Sequence, residues 1–91
     1  MTETTLLQQA DPHLMLLKSL KWAYAKHSND LASNCETART NLMLALKEGD
    51  LEKAGDWLAA LRGIVEAAPE GLVKHPEDVD TALERLEGLV L

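Results

Sequence analysis

The chain of 91 residues is poor in the side chains that favour strands. It contains no Phe, one Tyr, two Trp and one Ile, whereas it contains 18 Leu and 12 Ala. Leu and Ala favour helices by intrinsic propensity, and aromatic and β-branched residues favour strands. The composition therefore predicts an all-α fold, and the length allows one domain at most.

Cysteine and long apolar runs are also scarce. Cys35 is the single cysteine, so no disulfide can form within the chain and nothing indicates an oxidising compartment. No apolar run approaches the roughly 18 residues that a membrane-spanning helix needs, and the N-terminus lacks the basic start of a signal peptide. We expect a cytoplasmic protein with no membrane partner.

Basic residues are few in the second half of the chain. The net charge is −6; residues 1–47 hold five basic and four acidic groups, whereas residues 48–91 hold four basic and eleven acidic groups. Nucleic-acid binding needs clustered Lys and Arg, so we expect no nucleic-acid partner. A basic partner surface fits this charge distribution better.

A helical hairpin lies at the centre of the chain. Gly49 can adopt the left-handed conformation that ends a helix, and Asp50 can cap the next helix. Apolar residues then recur every three or four positions, which predicts a helix over about 50–68 with Leu58 and Leu61 buried. The stretch 44–61 resembles the helical hairpins of small bacterial secretion and flagellar chaperones and of tetratricopeptide repeats, which implies a hairpin and nothing about function.

The N-terminal half supports two architectures. Residues 1–10 indicate a tail, and Asp11 with Pro12 predicts the start of a single helical-bundle domain over 11–91. Apolar residues spaced by seven then favour one helix over about 12–48. Because 27–41 is rich in Ser, Asn, Asp and Thr, a break near 28–30 is the alternative, and it would give a compact four-helix bundle.

The last helix is predicted over about 76–90, after a connection over 67–75. Pro76 suits a first helical position. The side of this helix opposite its apolar face carries four carboxylates, which we call the acidic ridge: Glu77, Asp80, Glu84 and Glu87.

The sequence offers no chemistry typical of an enzyme or a metal site. His27 and Cys35 lie on one helical face but about 12 Å apart by helix rise, too far to bind one metal ion. The chain has no metal-binding or phosphate-binding motif, and no nucleophile lies beside a base in the pattern. We therefore expect no catalytic residues, no metal and no cofactor.

Two features indicate a protein partner. One is apolar surface beyond a single helical stripe, and its alternative is that the last helix covers this surface within the chain. The other is a file of small residues along the helix after the turn, which would allow close approach of another backbone; its alternative is that the file borders the core and the glycines are tolerated there. The candidate residues for partner binding or self-association are Leu14, Met15, Leu16, Trp22, Tyr24, Met43, Gly55, Ala59 and Gly63.

The function expected from the sequence is that of a small acidic helical interaction module, such as an adaptor, a chaperone-like protein or a regulatory protein. A homodimer is expected, because an unbroken first helix would leave one apolar side uncovered. The alternative is an inhibitor that imitates nucleic acid and uses the acidic ridge to occupy a basic groove. A bundle that binds a small ligand or a metal is a weaker alternative.

Overall fold

The computed structural model describes residues 5–91, and every regular element among them is an α-helix. The predicted all-α bundle is confirmed. The helices are α1 (Leu6–Lys18), α2 (Leu20–Ala25), α3 (Asn29–Glu48), α4 (Leu51–Ala67) and α5 (Pro76–Val90).

The first helix begins earlier than the sequence pattern predicted. Thr5 and Gln8 form a reciprocal cap: the Gln8 amide donates to the Thr5 hydroxyl at 3.1 Å, and the Thr5 amide donates to the Gln8 side chain at 2.9 Å. Ala10 is fully buried, and Pro12 lies inside α1. The predicted start at Pro12 is therefore wrong, and residues 6–10 are part of the helix; residues 1–4 of the expected tail lie outside the described part.

A single residue separates α1 from α2. Ser19 keeps right-handed helical angles, and its hydroxyl donates to the Leu16 carbonyl at 2.9 Å. A serine that bonds back to the preceding turn commonly bends a helix. The two helices therefore follow one another as a bent rod over residues 6–25.

The preferred continuous helix over 12–48 is wrong, because the chain turns between Ala25 and Asn29. Ser28 adopts extended angles, φ −158° and ψ 128°, and its hydroxyl accepts a hydrogen bond from the Leu31 amide at 3.3 Å. This cap makes Asn29 the first residue of α3. The alternative break near 28–30 is confirmed, and the reason given for a homodimer disappears with the unbroken helix; self-association itself stays a prediction.

The turn between α3 and α4 forms as predicted. Gly49 has φ 75° and ψ 16°, and the Asp50 amide donates to the Ala45 carbonyl at 2.9 Å. The Asp50 carboxylate accepts a hydrogen bond from the Lys53 amide at 3.0 Å. Glycine is required here because other residues pay a steric cost in the left-handed region.

The helices form a bundle 44 Å long and about 20 Å across. α1 packs on α3 and α5, α2 packs on α3, α3 packs on α4, and α4 packs on α5. Leu14 and Leu17 of α1 lie in the same core as Leu42 and Leu46 of α3. The break therefore lets the two most apolar segments of the chain cover each other.

We predict that Leu61→Ala lowers the free energy of unfolding by roughly 2 to 5 kcal/mol, because Leu61 is fully buried and the change leaves a cavity. Denaturant titration followed by circular dichroism measures the effect. Leu44→Ala is the matched control, since Leu44 is 45% exposed and its truncation should stay within about 0.5 kcal/mol of the parent. Equal stabilities for the two variants would contradict the assignment of this helical face.

Candidate functional site

Three of the candidate residues form an exposed apolar group on the first two helices, which we call the Trp22 patch. Trp22 is 66% exposed, Met15 56% and Leu16 41%. The Lys21 ammonium lies 4.9 Å from the centroid of the Trp22 ring, within range of a cation–π interaction. These side chains lie on the side of the α1–α2 rod that faces away from the core.

A groove of about 310 Å³ adjoins the Trp22 patch. One wall is the α1–α2 rod with Leu16, Trp22 and Lys26, and the other is the connection between α4 and α5 with the start of α5. The residues of the second wall are Leu72, Val73, Lys74, His75, Asp78 and Val79.

Leu14 and Tyr24, also proposed for partner binding, are core residues instead. Each is only 1% exposed. α1 packs on α3 and α5, and α2 packs on α3, so the apolar stripe of these two helices is buried within one chain. Burial also raises the pKa of the Tyr24 hydroxyl to about 12. Met43 is half-buried against the core.

The small-residue file along α4 does not receive another backbone within the chain. A Cβ built on Gly55 would meet the Val90 side chain at 3.7 Å, an ordinary contact, and one built on Gly63 would meet nothing within 4 Å. Ala59 is exposed. The two glycines are therefore tolerated on the surface of α4, and no close helix contact in the described chain requires them.

The acidic ridge is shorter than the sequence suggested. Glu77, Asp80 and Glu84 are exposed, but Glu87 is half-buried and accepts a hydrogen bond from the Arg62 guanidinium of α4. That hydrogen bond raises the pKa of the Arg62 guanidinium above its ordinary value. Glu87 thus joins α4 to α5, and three carboxylates of the ridge remain on the surface.

A second arginine is buried in α3. Arg39 is 7% exposed and donates two hydrogen bonds to Glu36 one turn earlier, at 2.6 and 3.0 Å. The hydrogen bond from Arg39 lowers the pKa of the Glu36 carboxyl, and Lys21 and Lys18 on the neighbouring rod add to the effect. The pair satisfies a buried charge, so a structural role accounts for it.

Cys35 lies in the core beside this pair. Burial and, to a smaller extent, the nearby Glu36 raise the pKa of its thiol to about 11, and Arg39 partly opposes the shift. Since the thiolate is the nucleophile, we expect low reactivity at neutral pH. Residues 5–91 contain no group of three or more His, Cys, Asp or Glu side chains placed to hold a metal ion.

Sequence reasoning did not identify the second wall of the groove. The pattern of residues 67–75 predicts a connection in which Leu72 and Val73 close one end of the bundle, because a proline, a glycine and the absence of a helical period mark that segment; it does not place the segment beside Trp22. The available signal was the pair Leu72 and Val73 followed by Lys74, since apolar residues within a connection need a surface to cover. Both side chains are half-buried against the core cluster.

The part of the chain that the structure describes contains no helix long and apolar enough to cross a membrane. In comparisons with known proteins, the chain matches no protein-family model, no curated protein and no solved structure.

We predict that native Cys35 reacts very slowly with Ellman's reagent. With a pKa of about 11, its thiolate fraction at pH 8 is more than about a hundredfold below that of an exposed cysteine. The control is the double variant Ser33→Cys with Cys35→Ser, which moves the thiol to an exposed position on the same helix. Absorbance at pH 8 follows both reactions; similar rates in the folded state would show that Cys35 is accessible.

Proposed function

We propose that this chain is a small protein–protein interaction module that binds a partner protein through the Trp22 patch. The observation that carries the proposal is the indole of Trp22, 66% exposed beside Met15 and Leu16 in a protein whose core is otherwise well covered. Exposed apolar groups on soluble domains usually mark interaction sites. Trp is also the residue type most enriched among the side chains that dominate binding energy.

The fold itself does not need these three side chains. Leu14, Leu17 and Leu20 of the same rod already fill the core, each with 1% exposure. The three side chains of the patch are therefore not part of the buried core, and they leave hydrophobic surface in water. Burial of this surface by a partner is favourable because it removes apolar side chains from water, which folding of the single chain does not do.

A small helical bundle that carries an exposed apolar patch suits an adaptor or a regulatory protein. The proposal includes no catalytic step: the Cys35 thiol is buried and protonated at neutral pH. A cytoplasmic location and self-association remain predictions made from the sequence.

We predict that Trp22→Ala lowers affinity for the partner by about thirtyfold or more, as expected when a central aromatic side chain of an interface is truncated. The parent and the variant, each immobilised through a terminal tag, are incubated with lysate of the native host, and retained proteins are identified by mass spectrometry. A protein retained by the parent and depleted with Trp22→Ala is the expected result; its affinity is then measured with purified components.

Leu44→Gln is the control, because Leu44 is also large, apolar and 45% exposed but lies in α3 and lines none of the groove. This variant should retain the same protein as the parent. If the parent, Trp22→Ala and Leu44→Gln all retain the same proteins in equal amounts, the Trp22 patch is not a binding surface and the proposal is rejected.

A further inference from the structure

We infer that the groove beside Trp22 takes an acidic peptide segment with apolar anchors, presented by the partner protein. This inference rests on the proposed function and specifies the chemistry of the partner. It also reverses the expectation from the net charge of −6, which by itself indicates a basic partner.

The apolar part of the groove consists of side chains from both walls. Leu16 and Trp22 of the rod line the groove together with Leu72 and Val73 of the α4–α5 connection and Val79 of α5. Leu72 and Val73 are half-buried, and part of their surface is accessible from the groove. Such a groove suits apolar side chains of a bound segment, since each one buried removes hydrophobic surface on both sides.

The charged groups at the groove are mainly basic. Lys26 and Lys74 both line it, one on each wall, and both are exposed. No carboxylate among residues 5–91 forms an ion pair with either of them. Two unpaired ammonium groups on opposite walls attract a segment that carries carboxylates beside its apolar residues.

The acidic and imidazole groups near the groove already have structural roles. Asp78 lies in the first turn of α5, where the helix dipole stabilises a negative charge. The His75 side chain lies 3.5 Å from the Glu77 carboxylate. Among the charged side chains that line the groove, the two ammonium groups of Lys26 and Lys74 outnumber the single carboxylate of Asp78.

The same charges disfavour a second copy of this chain in the groove. A two-fold dimer places the same patch on both sides of the interface, so Lys26 and Lys74 of each copy would meet a patch that is itself mainly basic. Like charges brought together in an interface oppose association. An acidic segment from a different protein avoids this repulsion.

The length of the groove sets the size of the segment. The rod wall runs from Leu16 to Lys26, about 15 Å at 1.5 Å per residue. About three turns of an amphipathic helix fit along this wall, with apolar anchors at positions i, i+3, i+4 and i+7.

The test uses three synthetic peptides of about fifteen residues with Leu at those four anchor positions. Four of the remaining positions, the same in all three peptides, carry Glu in the first peptide, Gln in the second and Lys in the third. Ala fills the other positions. Titration calorimetry with the full chain measures Kd. We expect the Glu peptide to bind at least about tenfold more tightly than the Lys peptide at low salt, with the difference narrowing at about 0.5 M salt because the charges are screened.

The double variant Lys26→Glu with Lys74→Glu should reverse the order, so that the Lys peptide binds more tightly than the Glu peptide. The matched control is Lys47→Glu with Lys53→Glu. It changes the net charge by the same amount, and its two positions lie on either side of the turn between α3 and α4. That turn is about 30 Å along the 20-residue α3 from the Ser28 turn that follows α2. This control should keep the preference for the Glu peptide, and thermal melts verify that both variants fold.

Three results would overturn the inference. One is equal affinity for the three peptides with loss of all binding in Trp22→Ala, which would leave the proposed function standing without a charge preference. Another is an equal loss of Glu-peptide affinity in the two double variants, which would assign the preference to net charge. The third is a dimer in sedimentation that Trp22→Ala dissociates, which would make a second copy the occupant.

Failure of the proposed function is recognised separately. In that case no peptide binds, and Trp22→Ala and the parent retain the same proteins from host lysate. The peptide series and the lysate experiment therefore distinguish a groove of different chemistry from a patch that binds no protein.

Discussion

The structure depends on burying one apolar stripe of α1 against two other helices. Ala10, Leu14 and Leu17 of this stripe are buried, and α1 packs on both α3 and α5, whereas Met15 and Leu16 of the same helix stay exposed. A long straight helix could not meet this requirement within one chain, because its two apolar ends would lie too far apart. The turn at Ser28 brings α3 back along α1, so the two apolar segments meet within one chain.

Local chemistry made the central part of the fold predictable. The Gly49 and Asp50 turn depends on backbone conformation and on capping by adjacent residues, and both signals can be read within a few positions. Burial of Leu58 and Leu61 follows from one helical period. Such features depend little on distant parts of the chain, so their prediction from sequence was correct.

Features that depend on tertiary packing were predicted less well. Pro12 is typical of a helix start, but α1 begins six residues before it, because Thr5 caps the helix and Ala10 is buried. The helix therefore lacks the backbone hydrogen bond that a proline cannot donate. The seven-residue spacing of apolar residues continued through the break, because Tyr24 of α2 and Ala38 of α3 are both buried in the same core. Periodicity reports burial, and it cannot distinguish one long helix from two that pack together.

In the candidate site, too, some residues were predicted correctly from local sequence, and others depended on tertiary packing. Trp22 and Met15 were identified as excess apolar surface, whereas Tyr24, of similar character, proved to be buried. Lys74 could not be assigned, because its position depends on where the α4–α5 connection lies against α2. The charge of the groove depends on which residues the fold brings together, and its lining is mainly basic although the net charge of the chain is −6.

The two tryptophans occupy contrasting environments, which gives the protein two separate optical reporters. Trp22 is solvent-exposed with an ammonium group over its ring, while Trp57 is half-buried against the core. The native fluorescence is therefore a sum of a red, water-like component and a bluer one. Iodide, which the neighbouring cation attracts, quenches the first component preferentially, so changes at the surface can be followed apart from changes in core packing.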